Sequence, residues 1–251
     1  MRKNSNAILC IEKDGELIDE VDKIKEGLFY HFNAQFQSYR KKRPDMKNFE
    51  FKQLLQTEAD SLTKEFTEEE IRQAVWANLI GRLHYKVLSK VLATKLKEGG
   101  KSFFEQILDS VMIANEVIDE ARRLKSSVDW GFLDFVTKKM NFPSKWREWI
   151  RECVSSAMVS VLINGSPSIE FTMERALRQG DPLSPFLFLL VAEGLNVLIS
   201  KAVFDKSFLG YGVGRAENVT LSHLQFADDT LIIGRKCWDN ILAMKGYVEI
   251  V

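Results

Sequence analysis

The stretch His223–Gly234, HLQFADDTLIIG, sets two acids, Asp228 and Asp229, between two apolar runs. The runs Leu224–Ala227 and Leu231–Ile233 have the length and branching of buried strands, and an Asp at their junction suits a turn. A strand–turn–strand hairpin would hold both carboxylates at its tip. Side chains alternate along a strand, so the two acids diverge unless the turn redirects one. Adjacent carboxylates repel, and a cation between them lets both stay ionised. Hard oxygen donors of this kind suit Mg²⁺. An ordinary surface turn that carries two acids would read the same way.

A second stretch with chemical potential is Arg178–Pro185, RQGDPLSP. Glycine admits close backbone approach by a ligand, a glutamine amide can bond a base or sugar edge, and arginine can meet phosphate. Ser184 and Pro185 read as N-cap and N1 of a long apolar helix running to about Lys201. The positive end of that helix would favour an anion. Apolarity on every side over Phe186–Val191 predicts burial in a large core. A turn followed by a helix cap accounts for the same octapeptide.

The elements that must position these stretches follow from periodicity. Asp14-Gly15 between Ala7–Ile11 and Glu16–Ile18 signals a hairpin. A helix follows with Val21, Ile24, Leu28, Phe32 and Phe36 on one face, expected to pack in the core. Tyr39–Asn48 reads as a basic polar linker. Phe51–Glu58 reads as helical. Thr67 and Glu70 form a capping box opening a helix that buries Ile71, Val75 and Trp76. Tyr85–Lys97 alternates apolar residues with lysines 86, 90, 95 and 97, a pattern of a solvated face. Gly99-Gly100 ends that helix and marks a boundary.

Phe104, Ile107, Val111, Ala114, Ile118 and Ala121 step at helical spacing, and a further helix spans Asp129–Met140. Pro143 separates it from a helical Lys145–Cys153. Val159–Asn164 and Ile169–Met173 read as strands around an Asn164-Gly165 turn. Gly210–Gly214 is a glycine-interrupted strand and lacks dinucleotide-loop spacing.

Composition sets bounds. The 251 residues carry 45% hydrophobic residues and 17 Phe, ample for a core. Lys+Arg 35 against Asp+Glu 35 gives no net charge, which does not favour nucleic acid but allows a local basic groove. Cys10, Cys153 and Cys237 lack metal-ligand spacing and read as reduced thiols of an intracellular protein. The N-terminus turns polar too early for a signal peptide. The run Phe186–Ala192 is far shorter than a membrane span of about 20 residues.

RQGDPLSPFLFLL followed downstream by FADDTLI resembles the palm of a reverse transcriptase of the plant non-LTR (LINE-type) retrotransposon group. SVDWGFLDFV, FPSKWREWIRECVSSAMVSVLINGS and QILDSVMIANEVIDEARR are similar to the same family. IEKDGELIDEVDKIKEGLFYHF and FTEEEIRQAVW resemble its segment leading into the polymerase. The resemblance implies that Asp228 and Asp229 are the paired acids of the metal site. It likewise implies that Phe226 is the aromatic residue near the primer end, and that Arg178, Gln179 and Gly180 lie against nucleotide and template. Mg²⁺ would be the cofactor, and an RNA template with a DNA primer the partners. Two ions about 3.5–4 Å apart would assist attack of a primer hydroxyl on a nucleotide α-phosphate.

Departures from that pattern shape the expectation. The family supplies a third metal-binding acid on a strand just before SVDW. Here Ala121–Trp130 reads ARRLKSSVDW, without that strand or its acid. Asp129 matches a later residue and is expected to start a helix. Fingers sequence is missing after Trp76 and near Glu98–Lys101. The expectation is of a chain that lacks the family's thumb after the acid pair and its endonuclease ahead of the polymerase segment.

The resulting expectation is an α/β (α+β) chain, with a palm-like antiparallel sheet on long helices. Residues 1–98 would be a helical pre-polymerase and fingers remnant, and residues 99–251 a partial palm. Such a chain would be a catalytically silent RNA-directed DNA polymerase without a membrane partner. The alternative is a non-enzymatic protein whose aromatic helix Leu28–Phe36 binds a partner, or a weak nucleic-acid binder.

Overall fold

The computed structural model describes residues 7–13, 15–37, 49–76, 83–108, 128–156, 158–178, 180–213, 219–226 and 229–248. Nine helices lie among them: α1 Val21–Phe36, α2 Gln56–Leu62, α3 Glu68–Trp76, α4 Leu83–Gly99 and α5 Lys101–Leu108, then α6 Trp130–Lys139, α7 Ser144–Ser155, α8 Ser184–Phe204 and α9 Trp238–Val248. The strands are β1 Ile11–Lys13, β2 Glu16–Ile18, β3 Met158–Val159, β4 Leu162–Ile163 and β5 Ser166–Pro167, then β6 Phe171–Thr172, β7 Tyr211–Val213, β8 Val219–Leu221, β9 His223–Phe226 and β10 Asp229–Ile232. All pair antiparallel in two-stranded ribbons. The mixed α+β architecture expected from the sequence is the one observed.

Packing centres on α8. Leu187, Leu190, Val191 and Leu198 are buried in one cluster with Phe132, Val136, Trp146 and Ile150 of α6 and α7. A Cβ at Gly194 would lie 2.6 Å from Val136 Cγ2 and 3.0 Å from Phe132 Cζ. Glycine there lets α6 and α8 approach closely. By length and composition α8 is apolar enough to cross a membrane, more than the seven-residue run implied, but 56% of its most apolar window is buried against the rest of the chain. Such burial fits the core helix the sequence predicts.

The same cluster draws on both sides of Gly99-Gly100, from Phe51, Leu54 and Leu62 through Leu92 and Leu96 to Leu198. Buried Glu58 joins the sides, accepting hydrogen bonds from Leu55 N at 3.1 Å and Phe103 N at 3.2 Å.

Several local readings hold. Thr67 N donates to Glu70 Oε2 at 2.7 Å and Glu70 N to Thr67 Oγ1 at 3.2 Å, a complete capping box. Asn164 and Gly165 have φ of 50° and 83°, as a two-residue turn with both centres left-handed requires, and Ile163 pairs with Ser166 across them. Asp129 caps α6, accepting from Phe132 N at 2.7 Å.

Other readings are corrected. Residues 51–55 are not helical; Phe51 and Leu54 enter the core from irregular chain, and Leu54 N donates to Met140 O at 2.8 Å. Ile71 and Val75 are exposed, because α3 meets α4 through Ala74 and Glu70 instead. Lys95 is not solvated: its ammonium lies 3.4 Å from Glu70 and 3.1 Å from Lys64 O, over the Phe66 ring. Ser184 is the first residue of α8 and Leu183 its N-cap. On α1 only Ile24 is fully buried and Val21 is exposed. Phe29 and Phe36 pack on Phe171 at 5.7 and 5.9 Å, so part of α1's aromatic surface is already engaged within the chain. The linker 39–48 lies outside the described residues, as does the helical pattern beyond Leu108 up to Ala121.

Candidate active site

Chain from Arg175 to Ser184 forms a fastened turn ahead of α8. Ala176 N donates to Val128 O at 2.8 Å, and Trp130 Nε1 donates to Ala176 O at 2.9 Å. Ala176 itself sits at φ 80°, a left-handed conformation that costs a non-glycine residue on the order of 1–3 kcal/mol and persists only where surroundings enforce it. Gly180 has φ 79°, with open space where a Cβ would be. Its glycine is therefore required by backbone conformation. Gln179 lies outside the described residues.

The carboxylate of Asp181 locks this turn. Its Oδ1 accepts from Leu183 N at 2.8 Å and from the buried hydroxyl of Ser89 on α4. Ser184 Oγ donates to Arg178 O at 2.7 Å. Asp181 thus already supplies the negative charge that the start of α8 favours. The anion-attracting role the sequence gave to that helix end is accordingly filled by the chain itself.

Arg178 and Asp181 line a cavity of about 20 Å³ with Cys153 and Trp130, room for one water. Burial and then the Asp181 charge push the Cys153 thiol up to about 12, against the opposing pull of Arg178. A thiol so raised stays protonated and is no nucleophile at neutral pH.

The acid-bearing hairpin is present. β9 and β10 pair with Phe226 opposite Asp229 and Leu224 opposite Leu231, which leaves residues 227 and 228 between the strands. Asp228 and the side chains of Phe226 and Asp229 lie outside the described residues. The strands are not buried as their apolarity predicts: Leu224 is 51% and Leu231 59% exposed. Only one face of the ribbon packs inward, where burial holds the His223 imidazole below its usual range and Gln225 Nε2 donates to Ala192 O at 3.3 Å.

At the base of the hairpin, Ile233 N donates to Ser222 O, and Arg235 N to Leu209 O just past the end of α8. Asn240 of α9 clamps that corner, accepting from Leu209 N at 2.7 Å and donating to Leu209 O and Arg235 O at 2.8 Å. From this base the ribbon runs back along α8, past Ala192, toward the turn that carries Arg178. The fold therefore directs the two sequence stretches toward one end of α8.

Among the described residues, no group of three His, Cys, Asp or Glu side chains comes together to hold a metal ion. Asp129, the first acid after Ala121, caps α6 with its side chain, and its backbone forms an isolated antiparallel β-bridge with Arg175. The described donors do not make up a two-metal set. Sequence reasoning missed Ser89, Ala176 and Asn240. A small polar residue inside a lysine–leucine helix carries no signal of what it faces, and α9 itself was not foreseen.

Residues 126–245, which contain the turn, α8 and the hairpin, match the family model described as reverse transcriptase (RNA-dependent DNA polymerase). Over 69 residues the chain is 45% identical to an uncharacterized mitochondrial protein of Arabidopsis thaliana. That alignment covers 28% of this chain and 56% of the relative, so the chain spans about half the length of the curated protein it matches.

Proposed function

We propose that this chain derives from a reverse transcriptase of the plant non-LTR (LINE-type) retrotransposon group and no longer polymerises. In this reading residues 99–251 are a partial palm and residues 1–98 the pre-polymerase segment with a remnant of the fingers. The division is one of lineage, not of packing, since one core joins the two parts. Asp228 and Asp229 are the surviving pair of metal-site acids, with Mg²⁺ as their ion. Arg178, Gln179, Gly180 and Phe226 are the surviving contacts to nucleotide, template and primer end.

The observation that carries the reading is the family match over residues 126–245, a segment in which β9 leaves its base near Leu209 and lies along α8 at Ala192. Loss of catalysis rests on the sequence ARRLKSSVDW, which lacks an acid-bearing strand where the family has one, and on the use of Asp129 as a helix cap. A metal clamp without its third carboxylate forfeits much of the several kcal/mol it would give a transition state.

The lineage is tested by binding of the purified chain to a primed RNA template across a salt series. Affinity is expected to fall steeply with salt, as phosphate contacts require, and to weaken in Arg178→Ala. Absence of salt-dependent binding would remove nucleic acid from the account.

A further inference from the structure

Beside the Arg178 cavity lies a second one, between α6 and α7. Arg147 and Arg151, one helical turn apart, both approach Oδ1 of Asp134, at 3.4 and 3.5 Å. One carboxylate thus stands between two guanidinium groups, which leaves a local excess of positive charge. The Arg147 side chain is 17% exposed, and its Nε and Nη1 are buried without a hydrogen bond. Nη1 is near enough to Asp134 for charge attraction but does not meet hydrogen-bond geometry. Buried charged donors without an acceptor are costly, and native proteins match them with an acceptor, a water or an ion.

The three charged residues line, together with Trp130, Thr137 and Val154, a cavity of about 30 Å³. That is room for about two water-sized atoms. Trp130 and Val154 also wall the Arg178 cavity, so the two openings are neighbours.

We propose that Arg147 and Arg151 form an oxyanion site that takes a phosphate group. A phosphate at the cavity mouth accepts from the exposed Arg151 guanidinium, and the Arg147 guanidinium turns toward it to satisfy its orphaned N–H groups, while the Asp134 charge holds both arginines back and so tunes the site. A planar guanidinium fork matches two oxygens of a phosphate where an ammonium offers only a point charge. The phosphate comes either free from solution or from the backbone of a nucleic acid. The site stands independently of the polymerase lineage, because free phosphate alone can reveal it.

The test is calorimetric titration of the full chain with inorganic phosphate, with ionic strength held constant by chloride. Arg151→Gln alters a side chain that is 60% exposed, so the fold should tolerate it. Phosphate is expected to bind, about tenfold more weakly in Arg151→Gln, since a charge-assisted bond is lost. Arg147→Lys should also weaken it despite keeping the charge. Asp134→Asn should bind several-fold more tightly, whereas a purely structural Arg–Asp–Arg network would lose stability there without any gain in affinity.

A parallel titration with a single-stranded oligodeoxynucleotide separates the sources. If only the oligonucleotide binds, and Arg151→Gln lowers its salt slope by about one, the phosphate is that of a nucleic-acid backbone. Phosphate and oligonucleotide affinities that both ignore Arg151→Gln and Asp134→Asn would overturn the proposal.

Discussion

Around α6, α7 and α8 the side chains close on one another: Phe132, Trp146, Leu187 and Leu190 are fully buried, and Gly194 lets two helices nearly touch. Downstream of α8 the chain is built differently. β7 to β10 form two short ribbons whose Leu224, Leu231, Tyr211 and Val219 are exposed, and α9 presents Trp238, Ile241 and Leu242 to solvent. The first region is held by buried area and the second largely by backbone pairing and the Asn240 clamp. Hydrophobic burial is the dominant favourable contribution to folding, so most of the stability resides in the helices. The hairpin bearing Asp228 and Asp229 belongs to the region with least of it. Local opening is drawn from such low-stability segments.

The largest expected effect strikes the helical side of this contrast. Phe132→Ala should cost about 3–5 kcal/mol and lower the urea midpoint of helical ellipticity, because it empties the seam between α6 and α8. A loss below about 1 kcal/mol would mean that the helices are not the main store of stability.

Asn240→Ala should cost about 2 kcal/mol by leaving Leu209 N without its acceptor and by removing one donor each from the Leu209 and Arg235 carbonyls. Its signature is selective: amide exchange should quicken across β9 and β10 while α6 and α8 keep their protection. Uniform loss of protection would erase the distinction between the regions.

A smaller effect comes from two carboxylates with opposite shifts. Burial raises the Glu193 carboxyl above its ordinary range, with the Asn196 bond and Lys52 only partly opposing it. The folded state then holds a proton that the unfolded chain releases, so stability falls as pH rises from the ordinary carboxylate value through the raised one. Glu193→Gln should remove that fall, worth up to about 1.4 kcal/mol for each pH unit of the shift. Burial also pushes Glu70 up, but Thr67 hydrogen bonds and the Lys95 charge outweigh it and hold the carboxyl low. Its contribution is present above the ordinary value and is lost as pH drops through the depressed one. Urea midpoints across an acid-to-neutral series check both signs.

Least of all, Leu224→Ala should change stability by under about 0.5 kcal/mol, since the side chain packs outward. A larger loss in the same urea assay would show that the ribbon face is covered.

How far the sequence spoke for itself divides along chemical lines. Signals that act within a few residues came through: the Thr67–Glu70 box, the Asn164-Gly165 turn, the Asp129 cap and the Asp14-Gly15 hairpin, whose strands pair from Lys13 opposite Glu16. Each depends on side chains meeting nearby backbone. Burial was read less well, because periodicity marks an apolar face without saying what lies opposite it. Ile71 and Val75 stay exposed for that reason, and Lys95 is buried because Glu70, Phe66 and two carbonyls surround it. At the candidate site Arg178, Gly180 and the hairpin were legible as types and spacing. The Ser89–Asp181 bond, which spans distant helix and turn, was not.

The most direct test of a polymerase lineage without polymerase chemistry is primer extension. The purified chain is given a primed RNA template, deoxynucleotides and Mg²⁺ or Mn²⁺, beside an Asp228→Ala control. The account predicts no incorporation above the control. Template-directed extension that Asp228→Ala abolishes would contradict it, and would require another acidic group to complete the metal site.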